Sequence, residues 1–288
     1  MSPLEAPWRG KTWPSKTSSP QSAVSKKLIC LAALALSAAA LLAACGKKDT
    51  TADRLEAIKS KGEMVIALEG NWAPWSFHDD DGTLVGYDVE VGKAIAEKLG
   101  VKATFIEGEW DGLLAGVEAG RYDMVINGVD ITDSRKQSYD FSTPYAYIRT
   151  ALVTRKDNDT IHSFEDLKGK TTANSIGSTY MELAEDYGAT CSGVDTLDET
   201  IQMVLQGRAD ATLNADVSFY DYLSQHPDAD IQIVSFAPDA NEIAIPMQKS
   251  DSAAALREAV NKAIENLRTD GTLTELSGKY FGADISSK

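Results

Sequence analysis

Few residues of the types that do covalent chemistry stand at spacings that would let them act. The three histidines, His78, His162 and His226, are scattered without the intervals of a metal site, and neither GxSxG nor HExxH occurs. Cys30, Cys45 and Cys191 cannot form a zinc cage or a CxxC redox pair. Gly169-Lys170-Thr171 has the ending of a phosphate loop, but Phe164 stands where the first glycine is needed, so a turn into a strand is expected. What remains is recognition chemistry. Arg135 carries a planar fork able to grip a carboxylate through two parallel hydrogen bonds, and Thr132 can cap the short helix that would aim it. Gly177-Ser178-Thr179 opens a predicted helix through Leu183 and Ala184, and exposed amides at a helix start can share a carboxylate.

The elements that must position these groups alternate between strand and helix, which predicts an α/β fold. Met64 to Leu68 is an apolar strand that runs into Glu69 and Gly70. Asp79-Asp-Asp-Gly82 reads as a hairpin turn between Phe77 and the pair Leu84-Val85, since an EF-hand loop would need Asp or Asn at Phe77. Val91, Ile95 and Leu99 recur every four residues before Gly100, the pattern of one helix face and its C-cap; a strand from Val101 to Ile106 follows.

One segment echoes another. Val117 to Asp123, containing Gly120-Arg-Tyr-Asp, runs into the apolar strand Met124 to Ile126 and stops at Asn127; Val204 to Asp210, containing Gly207-Arg-Ala-Asp, runs into Ala211 to Leu213 and stops at Asn214. The repetition suggests two similar lobes, each presenting the carboxyl end of a strand to a common cleft. That is where open α/β sheets bind ligands.

The chain has 288 residues, with 43 acidic against 28 basic side chains and a formal net charge of −15. Such a surface repels phosphate backbones, so no nucleic-acid partner is expected. Lys26-Lys27 precedes an uncharged, Ala- and Leu-rich run from Leu28 to Ala44 that reads as an export signal rather than a membrane span. Leu42-Ala-Ala-Cys45 resembles the bacterial lipobox, which implies lipidation of Cys45, a signal over residues 24–44, a polar tether over 45–52 and attachment to a membrane through the N-terminal lipid. Residues 1–23 fit no signal pattern and are expected to be an extension from a start called too early, with initiation at Val24. Cys191 would then be left alone, without a disulfide partner.

From about Arg54 to Phe281 the chain resembles the extracellular solute-binding proteins of polar amino-acid ABC transporters. The resemblance is carried by Trp72-Ala-Pro-Trp75-Ser-Phe77, Gly86-Tyr-Asp-Val-Glu90, Trp110-Asp-Gly112, Asn127-Gly-Val-Asp-Ile-Thr-Asp-Ser-Arg135, Asp140-Phe-Ser-Thr-Pro-Tyr145 and Gly207-Arg-Ala-Asp210, in that order. It implies a two-lobed α/β fold of the periplasmic-binding-protein kind, type II, with lobe 1 over 53–146 and 245–288 and lobe 2 over 147–244. Two hinge crossings would lie near Tyr145 to Arg149 and Asn241 to Ala244. It further implies a monomer that binds a free amino acid without a cofactor or metal and delivers it to permease subunits at the periplasmic or outer face of the membrane.

Residue by residue, the resemblance assigns Arg135 to the ligand's α-carboxylate, which the helix start at Ser178 and Thr179 can share, and Asp216 to its α-ammonium, and it places Ser175 among the ligand-binding residues. Asn127 and Gly128 belong to the Arg135 motif, and Trp72 and Trp110 match aromatic walls; Trp75 fits a wall or the core equally. Asp216 also fits an N-cap for a helix from Val217 to Leu223. Asp130 stands where many relatives carry Ser or Thr, and Glu69 and Asp88 match positions that face the side chain of the ligand in some of them. Four carboxylates against one arginine would disfavour glutamate or aspartate and favour cystine, lysine or arginine. The stretch from Asp166 to Val234, with Thr196-Leu-Asp-Glu-Thr-Ile201 and Gly207-Arg-Ala-Asp-Ala-Thr-Leu-Asn214, looks most like the cystine-binding branch, although Ser175-Ile-Gly-Ser-Thr179 departs from it. Two other classes fit the same fold: a cyclohexadienyl-dehydratase-like enzyme using Glu69 or Asp130 as general acid, and the sensor domain of a receptor.

Overall fold

A computed structural model describes residues 53–288. The expected export signal, tether and lipidated Cys45 lie outside the described residues. Strands and helices alternate as the sequence predicts, and the strands gather into two five-stranded sheets with a small hairpin beside them.

The first sheet is built around β1 (Glu63–Leu68), which pairs in parallel with β4 (Lys102–Glu107) on one side and β5 (Met124–Val125) on the other. β12 (Pro246–Gln248) and β6 (Tyr139–Phe141) extend it antiparallel. The predicted hairpin is present: β2 (Phe77–His78) pairs with β3 (Leu84–Val85), and Asp79 turns the chain by accepting from the amides of Asp81 and Thr83. α1 (Arg54–Lys61) opens the described chain, and α2 (Tyr87–Leu99) buries Val91 and Ile95 and ends on a left-handed Gly100, as its spacing foretells. The second sheet has the order β11 (Ile231–Ile243), β7 (Ala146–Arg155), β10 (Ala211–Ala215), β8 (Thr171–Ser175), β9 (Thr190–Val194). Here β8, β9 and β10 are mutually parallel, while β7 and β11 run antiparallel as a long pair.

That pair joins the sheets. The start of β7 faces the end of β11, with Ala146 opposite Ile243 and Ile148 opposite Asn241, and beyond these points the chain belongs to the first sheet. The crossings expected near Tyr145 to Arg149 and Asn241 to Ala244 therefore run side by side and are hydrogen-bonded.

The echoed motif is one device used twice. After α3 (Trp110–Glu118) and a left-handed Gly120, the Asp123 carboxylate accepts from the Val65 amide at 2.7 Å while its own amide donates to the Val65 carbonyl. After α6 (Leu197–Leu205) and a left-handed Gly207, Asp210 does the same with Thr171, at 2.8 and 2.7 Å. Each aspartate pins the start of a neighbouring parallel strand, so the carboxyl ends of β1 and β5, and of β8 and β10, finish side by side. Arg54 reinforces the first copy, donating to Asp123, Gln248 and the carbonyls of Gly120 and Tyr122.

Candidate functional site

A cavity lies beyond those strand ends. From the first sheet it is walled by Glu69, just after β1, by Asn127 and Gly128, just after β5, and by Asn71, Trp72, Trp110, Asp130 and Arg135. From the second it is walled by Ser175 at the end of β8, Asn214 in β10, Thr196 and Leu197 at the start of α6, and Ser178, Thr179 and Tyr180 at the start of α5 (Thr179–Asp186). Ten of the twelve residues singled out in the sequence come together here.

Arg135 opens the short helix α4 (Arg135–Ser138), and its amide donates to the Thr132 hydroxyl at 3.1 Å, while the N-cap position expected of Thr132 is held by Ser134. Its guanidinium stacks over the Trp110 ring at 5.3 Å, and Nη1 donates to the Asp130 carbonyl at 3.1 Å. Among the described residues no carboxylate pairs with it. A half-buried, aimed and unpaired guanidinium is a receptor for an anion.

Two carboxylates share the cavity with it. Glu69 and Asn127 hold one another: the Glu69 amide donates to Asn127 Oδ1 at 2.9 Å, and Asn127 Nδ2 donates to Glu69 Oε2 at 2.7 Å. Burial pushes the Glu69 carboxyl up to about 7, against the pull of Asn127 and with a smaller push from Glu109. Asp130 is 6% exposed. Its Oδ2 accepts from the Thr179 hydroxyl of the opposite sheet, and its Oδ1 is buried without a hydrogen-bond partner. Burial raises the Asp130 pKa, opposed by the Thr179 bond, by Arg135 and by the side chain of Asn241. Trp72 Nε1 is a second buried polar atom without a partner. One orphaned donor and one orphaned acceptor thus belong to residues that wall a single cavity.

Two expected members do not line it. Asp88 is fully buried in α2, where it accepts from the Gly128 amide at 2.8 Å and the Tyr145 hydroxyl at 2.7 Å. It braces the Gly128 turn from behind, and burial lifts its pKa to about 7. Asp216 is the first residue of α7 (Asp216–Gln225). Its carboxylate accepts from the amides of Arg149 and Val217 at 3.3 and 2.9 Å and stands 3.8 Å from Arg149 Nε. The expectation that Arg135 and Asp216 face each other across the ligand space is therefore corrected: Asp216 is held by β7. The N-cap reading of Asp216 is corrected too, since Ala215 occupies that position. Trp75 goes to the core, packed on Trp72, Tyr87 and Phe281.

Five lining residues were not foreseen: Asn71, Tyr180, Thr196, Leu197 and Asn214. Asn214 had a signal, because it ends the second copy of the echo as Asn127 ends the first. Thr196 begins a Thr-x-x-Glu capping box with Glu199, which marks a helix start but not the direction it faces.

Two sheets joined by a strand pair, with one polar cavity at their facing strand ends, define a two-lobed ligand-binding protein. The chain belongs to the bacterial extracellular solute-binding proteins, family 3, whose model matches residues 64–283. It is 38% identical to a probable amino-acid ABC transporter-binding protein of Haemophilus influenzae, over 91% of this chain and 99% of that one. It is also 38% identical to the L-cystine-binding protein TcyA of Bacillus subtilis, over 86% and 94% of the two chains. Among solved structures, an ancestral arginine-binding protein bound to arginine superposes with a TM-score of 0.71 at 37% identity, over 77% of this chain and 99% of that one.

Proposed function

We propose that this chain captures a free polar amino acid with a cystine-like or cationic side chain outside the cytoplasmic membrane, and hands it to the permease of an ABC transporter. The observation that carries the reading is the unpaired Arg135 guanidinium, stacked on Trp110 in a cavity that also holds Glu69 and Asp130. One cation fits an α-carboxylate, while two carboxylates against one arginine leave a surplus of negative charge, smaller than the sequence suggested because Asp88 and Asp216 stand outside. That surplus disfavours glutamate and aspartate and suits a second ammonium or a guanidinium. The amino-acid and cystine binding named for the relatives supports the class.

In this reading residues 53–146 with 245–288 and residues 147–244 are the two lobes, and they rock about the paired crossings of β7 and β11 to close over the ligand. The protein works as a monomer, by binding and release and without turnover. Cys45 carries the lipid that keeps it at the membrane; no helix among the described residues is long and apolar enough to cross one.

Titration calorimetry with the twenty amino acids and cystine tests the class: at least one of them binds, acidic ones worst, and Arg135→Lys weakens the best ligand about 100-fold because a point charge cannot replace the fork. Binding of none refutes the reading. Incubation with prephenate or arogenate should release no product.

A further inference from the structure

The carboxylate of Asp130 meets the Thr179 hydroxyl of the second sheet, and these two residues wall both the ligand cavity and a recess behind it. Thr150 and Asn241 line that recess as well. Asn241 belongs to β11 at the second crossing and stands outside the ligand cavity, yet strand pairing carries it to the Asp130 carboxylate. The segment Val129 to Ile131 runs antiparallel to the end of β11, with Asp130 opposite Ile243. The Ile131 amide donates to the Glu242 carbonyl and the Ala244 amide to the Val129 carbonyl, each at 3.0 Å. Side chains two positions apart on a strand share a face, so Asn241 is the diagonal neighbour of Asp130. On the other side Asn241 faces Ile148 of β7, which makes Thr150 its diagonal neighbour there, and Asn241 Nδ2 donates to the Thr150 hydroxyl at 3.2 Å. A row of three polar side chains, Asp130, Asn241 and Thr150, thus crosses the hinge from the turn that carries Arg135 to the second sheet, where Thr150 pairs with Ala215 of β10.

The Asn241 side chain is close enough to the Asp130 carboxylate to draw its pKa down. A carboxylate only accepts, so the amide nitrogen, which carries two hydrogens, is the atom that can serve both Asp130 and Thr150. Resting on the amino-acid reading above, we infer that Asn241 is a positioning residue for capture, holding the Asp130 carboxylate where the Thr179 hydroxyl meets it as the lobes close. The backbone ladder keeps Asn241 beside Asp130 in every state, whereas Thr179 arrives from the other lobe only on closure. The amide therefore presets one half of the Thr179–Asp130 latch, and Thr150 fixes the direction in which the amide faces. Without it the carboxylate turns freely and the closed, loaded form opens sooner.

Stopped-flow kinetics on the mature protein tests this, with whichever of L-cystine and L-arginine binds tighter. Asn241→Leu keeps the bulk of the side chain and removes its donors. It should raise the off-rate roughly 5- to 20-fold, the worth of one hydrogen bond to a charged group, and leave the on-rate within about 2-fold. Thr179→Val should raise the off-rate by a similar factor, and adding Asn241→Leu to it should cost less than about 2-fold more, because both act through one carboxylate. Asn241→Ser, smaller and polar, guards against a misfolded leucine variant and should show the same lack of additivity; a cooperative melt confirms each protein. In the ligand-free protein, carboxyl-carbon NMR should show the Asp130 titration midpoint rising in Asn241→Leu. The inference is overturned if the off-rate holds in both Asn241 variants, if their factors multiply with that of Thr179→Val as two unrelated packing losses would, or if the Asp130 midpoint stays in place. A wild type that binds no amino acid overturns the functional reading, and the midpoint, which needs no ligand, still decides the role of Asn241.

Discussion

The indole Nε1 of Trp75 donates to the Ser218 hydroxyl at 3.1 Å, joining the loop after β1 to helix α7 of the other sheet, and both residues are buried. The Thr179–Asp130 contact ties the halves together in the same way.

Trp75→Phe keeps most of the aromatic packing on Trp72, Tyr87 and Phe281 but leaves the Ser218 hydroxyl buried and unmatched. A cost of about 1–3 kcal/mol is expected for the closed arrangement. Because ligand affinity falls with the population of the competent form, calorimetry should show weaker binding, by roughly 5-fold or more, and small-angle scattering of the ligand-free protein should show a larger radius. An unchanged affinity would mean that the bond does not hold the halves together.

The raised Glu69 carboxyl makes a signed prediction about pH. Its pKa climbs from 4.5 to about 7 in the folded protein, chiefly through burial. Between those values the folded state keeps a proton that the unfolded chain has released, so this group's contribution is fully present below about pH 4.5 and is lost as pH rises through about 7. Glu69→Gln removes that loss. The variant should therefore gain on the wild type as pH increases from 4.5 to 8, by about 1–3 kcal/mol at most. Paired thermal melts across this range check it; a constant difference would show that Glu69 ionises without strain.

Gly128 holds a left-handed backbone, φ +54°, where its amide reaches Asp88, and a Cβ there would lie 2.8 Å from the Trp72 ring. Gly128→Ala combines backbone strain with a push on a wall of the cavity. A loss of about 1–3 kcal/mol in stability is expected, together with weaker ligand binding and altered tryptophan fluorescence. If stability falls while affinity and fluorescence stay as they are, Trp72 is not a wall that the ligand feels.

Much of this molecule was legible in its amino acids, because local rules govern that part. The helix face of Val91 and Ile95 with its Gly100 stop, the Asp79 hairpin, the Thr132 bond to the Arg135 amide and the Ser178 start of α5 all follow from periodicity and from side chains bonding to nearby backbone. The twice-used Gly-Arg-x-Asp turn announced two related strand ends, and those ends are where the cavity lies.

What sequence could not decide was the aim of each polar side chain once its element had ended. Asp88, Asp130 and Asp216 are the same residue type, all buried or nearly so, yet one braces a turn, one walls the cavity and one answers Arg149. The partners that choose among these fates, Tyr145, Thr179 and Arg149, stand 57, 49 and 67 positions away along the chain. A carboxylate goes where donors are gathered, and only the packed sheets gather donors from such separations. For the same reason Trp75, close to Trp72 in the chain, is core rather than wall, and Tyr180 becomes visible as lining only when the second sheet faces the first.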